Sequence, residues 1–184
     1  MKKIITPLVL ILSIIILKAQ ETENTLNAKI GLLGASLGYE QKLNEKFTLN
    51  AEYEYALGFF GGYYNDNKVS YVGSSCLSLE PRYYYNLEKR HEKGKETAHN
   101  AGNFIGLDFS YIPDWLTSSD ADDVEIYKSF SIIPRYGIRR NLGKNINFES
   151  AFGIGYRWSE KDKYTNESNN GVAISLSIKV GYVF

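Results

Sequence analysis

Long runs of strict two-residue alternation constrain this chain more than any other feature. From Phe47 the odd positions read Phe47, Leu49, Ala51, Tyr53, Tyr55, Leu57 and Phe59, with Thr48, Asn50, Glu52, Glu54, Ala56 and Gly58 between them. Successive side chains of a strand point to opposite faces, so this pattern predicts one apolar and one polar face. It recurs at Leu33–Tyr39, Val69–Tyr85, Ile105–Tyr111, Phe130–Arg139, Ile146–Trp158 and Val172–Phe184. Seven segments are clear. Most are far longer than the roughly 5–6 residues of an ordinary globular strand, and they match the about 9–11 needed to cross a bilayer at a tilt. No amphipathic helix and no later hydrophobic helix span competes with them.

The start of the chain reads differently. Met1-Lys2-Lys3 is followed by the apolar run Ile4–Leu17, then Lys18-Ala19-Gln20 and an acidic stretch. A basic start, a short apolar core and a small residue near the cut predict a cleaved secretory signal over residues 1–20. A spanning helix would need about 20 apolar residues, more than this run offers. Residues 21–184 then form one β-barrel domain with a formal charge of −3, since the leader removes three lysines and no acid.

Composition removes several classes. Twenty-six aromatic residues exclude a disordered chain. A single cysteine excludes an internal disulfide framework. A net charge of zero gives no global attraction to phosphate, so no nucleic-acid partner is expected.

Alternation alone does not separate a soluble barrel, apolar inside, from a membrane barrel, apolar outside. The charges discriminate. The polar faces carry Glu40, Glu52, Glu54, Glu80, Asp108 and Glu149, against Lys42, Arg82, Arg135, Arg139, Arg157 and Lys179. Charges inside a small barrel must pair, because an isolated one carries a large desolvation cost. The balance predicts a lumen charge network of Glu52, Glu54, Glu80, Arg82, Asp108, Arg135, Arg139, Glu149, Arg157 and Lys179. Aromatic residues cluster at segment ends. One set is Phe59, Tyr63, Tyr64, Tyr71, Tyr111, Trp115, Tyr127, Tyr156 and Trp158, and the other Phe47, Tyr83, Tyr85, Tyr136, Phe148, Tyr182 and Phe184. Two such sets match the girdles of a membrane barrel.

The connections agree. Asn44–Lys46 and Asn141–Asn145 are tight, whereas Gly61–Lys68, Pro113–Glu125 and Ser159–Asn170 are longer and polar. Short turns on one side and long loops on the other fit periplasmic turns and surface loops. The long, charge-rich Asn86–Asn103 falls on the short side and breaks the pattern. Bacterial barrels have an even strand number, so the fold predicted is a closed antiparallel up-and-down transmembrane β-barrel of eight strands. Glu21–Ala28 looks too short for a separate strand and turn. Either it threads the lumen, or a strand hides in Asn86–Asn103 or Pro113–Glu125.

Candidate sites are few. His91 and His99 both fall in the charged connection and read as turn residues, so no catalytic residue is assigned. No metal site is assigned either: Asp120, Asp122 and Asp123 lack the ligand spacing of a calcium loop. Cys76 is expected to face the lumen. Asn166-Glu167-Ser168 is a sequon without meaning outside eukaryotic secretion. Pro81 and Pro134 each precede Arg-Tyr and predict matched bulges.

Four segments carry a resemblance. Val180-Gly181-Tyr182-Val183-Phe184 resembles the carboxyl-terminal strand of bacterial outer-membrane proteins. Leu79-Glu80-Pro81-Arg82-Tyr83-Tyr84-Tyr85-Asn86-Leu87, with Lys93-Gly94-Lys95 and Phe152-Gly153-Ile154-Gly155-Tyr156, resembles small outer-membrane barrels of Bacteroidetes type, similar more broadly to OmpA- and OmpX-like barrels. The resemblance implies an outer-membrane location, lipid contact, and recognition of Tyr182 and Phe184 by the barrel assembly machinery. Most members of that family have no assigned function; no cofactor is expected, and with no histidine on a strand near the outer rim no enzymatic activity is expected either. The expected role is structural, or display of the surface loops to an unknown partner. The alternatives are a narrow ion or small-solute channel through the lumen charges, a lipid-modifying outer-membrane enzyme, and a soluble ligand-binding barrel.

Overall fold

The computed structural model describes residues 22–61, 69–120, 126–161, 168 and 170–184. The predicted signal over 1–20, Tyr63 and Tyr64, Asp122 and Asp123, and most of the sequon lie outside them. Eight long strands follow in order: β1 Thr25–Gly31, β2 Gly34–Lys42, β3 Phe47–Gly61, β4 Val69–Tyr84, β5 Asn103–Ile112, β7 Ser129–Asn141, β8 Ile146–Ser159 and β9 Gly171–Val183. A two-residue strand, β6 (Ser118–Ser119), pairs with the upper part of β4. Every long strand pairs antiparallel with its neighbours, and β1 pairs with β9, so the sheet returns on itself. The fold is an all-β, antiparallel, eight-stranded closed barrel.

The strand missing from the alternation is β1. The apparent single segment Lys29–Leu43 is broken by a tight turn at Leu32-Leu33, where Gly31 pairs with Gly34. Apolar leucines at a hairpin tip carry no polar turn signal, which hides the break. The turn also reverses parity. Buried positions are odd in β1 (Thr25, Asn27, Lys29) and even in β2 (Ser36, Gly38, Glu40). Glu21–Ala28 therefore does not thread the lumen, because residues 25–28 are wall. Neither suggested connection supplies a stave. Asn86–Asn103 holds a short helix, α1 (Leu87–Glu92), and a 3-10 turn at Ala98–Asn100, while the described part of the second connection, residues 113–120, contributes β6.

The prolines are not bulges. At Pro81 the β4–β5 pairing lapses between Leu79↔Phe109 and Arg82↔Gly106, and at Pro134 the β7–β8 pairing lapses between Ile132↔Tyr156 and Arg135↔Gly153. Register is the same on both sides of each lapse. Proline withholds one ladder donor here without adding a residue.

Exposed large side chains form the outer wall, among them Leu37, Leu79, Ile105, Phe152, Ile154 and Leu176. Rings meet at both ends of it. Phe130 stacks on Trp158 at 6.1 Å with Tyr156 beside it, and Phe47 meets Tyr83 at 4.8 Å at the other end. Near that second end Tyr85 and Tyr136 share a hydroxyl contact of 3.1 Å.

That end is closed. Tyr84, Phe104, Leu87 and Ala151 form a small buried apolar cluster beneath the lumen. The connection after β4 folds under it, with Asn86 Oδ1 accepting from the Asn103 amide at 2.7 Å and Arg90 Nε donating to the Ala101 carbonyl at 2.8 Å. The segment leading into β1 is clamped against the same plug. The Glu23 amide donates to Asn100 Oδ1 at 2.7 Å, and Asn100 Nδ2 returns a bond to the Glu23 carbonyl at 2.9 Å. The charge-rich connection is long because it is a floor.

Gly137 faces the Phe104 ring so closely that an added Cβ would overlap it. Gly137→Leu is expected to destabilise the barrel by about 1–3 kcal/mol through overpacking. Thermal unfolding of the purified variant against the parent, followed by circular dichroism, measures this.

Candidate functional site

Inward alternation brings most of the charged residues into one connected network. Glu149 is its centre. It accepts from Arg139 Nε at 2.8 Å and Nη2 at 2.6 Å, from Arg82 Nη2 at 3.1 Å, and from Lys29 Nζ at 3.3 Å. Glu80 forms a bidentate pair with Arg135, both bonds at 2.9 Å, and also accepts from Arg82 Nε at 2.7 Å. Glu40 lies 2.7 Å from Arg139 and 3.5 Å from Arg82, and accepts from Thr48 and from the Tyr84 hydroxyl at 2.9 Å. Glu52 binds Lys29 at 3.1 Å and Lys179, which also reaches Glu54 at 2.6 Å.

Five acids (Glu40, Glu52, Glu54, Glu80, Glu149) and five bases (Lys29, Arg82, Arg135, Arg139, Lys179) are thus linked without a gap. The assembly is neutral. Glu40, Glu80, Arg82, Arg139 and Lys29 are at most 1 % exposed. Planar guanidinium forks suit this: Arg82 reaches three carboxylates, Arg139 two, and Arg135 holds Glu80 bidentately. Arg82 also lies over the Phe104 ring at 4.4 Å, which joins the network to the plug beneath it.

Eight of the ten residues assigned to the lumen from the sequence are in this network. Asp108 and Arg157 are not. Asp108 is buried in the lumen wall, with one carboxylate oxygen held by Ser110 and the other, Oδ1, without a hydrogen-bond partner. Arg157 stands exposed near the far rim of β8 and makes no ion pair with a described residue. Lys29 and Glu40 complete the set. Lys29 escapes sequence reading because the hidden hairpin turn places it on the apparent apolar face. Lys42 lies half-buried at the end of β2, outside the network.

Above the network a cavity of about 470 Å³ extends toward the end with the longer connections. Glu52, Lys179, Arg135 and Asp108 form its base, and Cys76, Ser74, Ser78, Ser110 and Ser131 its wall. The lumen is therefore a polar vestibule over a salt-bridged layer over an aromatic plug. The cavity holds one hydroxyl–carboxylate pair, Ser110 Oγ donating to Asp108 Oδ2, and no described histidine borders it. His91 is exposed on α1, and His99 sits in the floor connection, its Nδ1 3.8 Å from Glu23. Among the described residues no three His, Cys, Asp or Glu side chains are grouped to hold a metal.

At the rim, Lys128 bridges Asp114 at 3.2 Å and Glu160 at 3.6 Å, and the hydrogen bond to Asp114 holds its ammonium above the ordinary lysine range. The last residues face outward. Tyr182 and Phe184 are exposed with rings 5.1 Å apart, and the Phe184 amide donates to the Leu26 carbonyl at 3.0 Å, closing the β1–β9 seam.

Residues 5–181 match a family model described as protein of unknown function (DUF3575). No curated protein and no solved structure matches the chain.

Removing one member of a buried network leaves its partners with uncompensated charge. Glu149→Gln, which faces three cations, is expected to cost about 3–5 kcal/mol of stability. Glu54→Gln, at the better-solvated edge, is expected to cost about 1 kcal/mol or less. Chemical denaturation of both variants in detergent compares them directly.

Proposed function

The chain belongs to the DUF3575 family of proteins of unknown function, and we propose from its own geometry that it is a non-enzymatic outer-membrane barrel. In this reading it is exported by a signal over residues 1–20 and seated in lipid by its outer wall. The observation that carries the proposal is the inverted polarity of the barrel. Exposed leucine, isoleucine and aromatic side chains cover the outside, while ten ionised groups pair within. In water such an exterior would expose an apolar patch far larger than monomeric soluble proteins carry. In hydrocarbon it is the low-energy arrangement, and closure of the ring between β1 and β9 pairs the backbone around the salt-bridged level.

Orientation follows from the ends. The plugged end holds Thr22 and Glu23, Phe184 and the tight turns Asn44–Lys46 and Asn141–Asn145, which suits the periplasm. Tyr182 and Phe184, outward at the seam, suit recognition by the barrel assembly machinery. The open end and its longer connections would face outward and meet surface partners. Conduction is disfavoured by the network itself, because an ion crossing the lumen must break a salt-bridged layer that rests on a buried aromatic cluster.

Expression in a Gram-negative host tests this. The protein is expected in the outer-membrane fraction after carbonate washing, to migrate differently on gels when boiled, and to give no current steps in planar bilayers. Recovery in the periplasmic supernatant would establish the soluble-carrier reading instead. Steady currents abolished by Glu80→Ala with Arg82→Ala would establish the channel.

A further inference from the structure

Among the described residues the barrel wall is interrupted on one side. The β1–β2 hairpin stops at Leu32-Leu33, where Gly31 pairs with Lys179 of β9 and Gly34 with Ala56 of β3. Above that level β9 continues from Ile178 to Gly171 and β3 from Leu57 to Gly61. The Leu57 amide still donates to the Leu33 carbonyl at 2.6 Å. Beyond it no described residue pairs with either edge. The unpaired length of β9 is eight residues, about 26 Å at ~3.3 Å per residue. The missing wall is two strands wide, so β9 and β3 stand roughly 14 Å apart along it at ~4.8 Å per strand step.

The molecule treats its other open edge differently. Upper β4 is also abandoned by its neighbour, since β5 reaches only the level of Leu77. There the chain folds back as β6, pairing Ser118 and Ser119 with Gly73 and Val72, and the Leu116 carbonyl accepts from Ser75 at 3.2 Å. Covering one free edge and not the other is informative, because exposed edges are normally paired or blocked.

The gap opens into the lumen. Ile174, Ser175, Leu176, Ser177 and Ile178 all border the vestibule. Consecutive residues point to opposite faces of a strand, and along β9 the cavity borders these five in a row, whereas along β3, β4, β5 and β7 it borders only every second residue. Leu32 and Leu33 form its lower lip. The opening is thus apolar outside, with Leu32, Ile174 and Leu176 each at least 68 % exposed, and polar inside. Its depth is set by register. Val172 pairs with Tyr156 of the upper aromatic ring, so Ile174 to Ile178 lie below that ring, level with the apolar wall.

We propose that this opening is a lateral port that takes a single-chain amphiphile with an anionic head, carboxylate or phosphate. The alkyl chain lies over Leu32, Leu33, Ile174 and Leu176, and the head enters the vestibule. Arg157 selects the head: it borders the cavity across from Gly171 at the top of β9 and pairs with no described acid, whereas Lys179 is committed to Glu52 and Glu54. The proposal rests on the membrane reading above, because the chain would arrive from the surrounding lipid.

The test uses the full chain in native membranes with two probes, a fatty acid and a lysophospholipid, each with a diazirine in the alkyl chain. A neutral monoacylglycerol with the same chain is the control. After irradiation, label is mapped by mass spectrometry, and variants are first checked for heat-modifiable migration. Label is expected to concentrate on residues 31–33 and 171–178. It should fall about tenfold, the equivalent of ~1.4 kcal/mol, when Ser177→Trp fills the opening. Arg157→Gln should lower labelling by the anionic probes and leave the monoacylglycerol unchanged. The stronger of the two anionic probes identifies the head. Even labelling around the wall, or a β9–β9 crosslink between two copies, would overturn the port while leaving the membrane reading intact. Absence of label from the whole outer wall would overturn both.

Discussion

Everything inside this barrel depends on Glu149 and the charge balance around it. One carboxylate binds Arg82, Arg139 and Lys29 from three different strands, β4, β7 and β1. Each of those cations reaches a second acid, Arg82 and Arg139 to Glu40, Arg82 also to Glu80, and Lys29 to Glu52. The strands are joined through the lumen by ions as well as around the wall by backbone bonds. Such a network is tolerable in a dry interior only when it is neutral and its members are hydrogen-bonded. Its closure therefore fixes the register of the ring: a slip of one residue on any strand would send its charge to the outer wall.

The two ends express different uses of the same interior. Below Glu149 the space is filled, first by Tyr84 and Phe104 and then by the connection after β4, to which Glu23 and Asn100 bind the segment leading into β1. Above it the charges thin out, and small side chains (Ser74, Ser78, Ser110, Ser131) leave a vestibule. The short β1–β2 hairpin lets that vestibule reach the side of the barrel. The plug below Glu149 and the vestibule above it are the two features on which the proposed reading of the interior rests.

Period-two alternation made six of the long strands legible directly, because their inward and outward positions differ sharply in chemistry. It also singled out most of the inward charges. Three things were not legible. The β1–β2 turn is made by Leu32 and Leu33, and apolar residues give no turn signal; with the turn hidden, Lys29 counted on the wrong face. Pro81 and Pro134 suggested bulges, but register is settled by the whole ladder and the charges facing it, not by one lost donor. The floor role of residues 86–102 depends on long-range contacts such as Arg139 with the His99 carbonyl at 3.2 Å, which no local pattern encodes. Asp108 and Arg157 share the inward parity of the network residues, and only geometry separates those that pair from those left facing the vestibule.

The central claim is that the apolar wall meets hydrocarbon while the ionised groups meet one another. Nitroxide scanning along β8 from Asn147 to Tyr156, in a Cys76→Ser background in lipid, tests it most directly. Outward positions such as Phe152 and Ile154 should be accessible to oxygen and shielded from a water-soluble nickel complex, with inward positions between them shielded from both. Nickel access at the outward positions would place the wall in water and contradict the account.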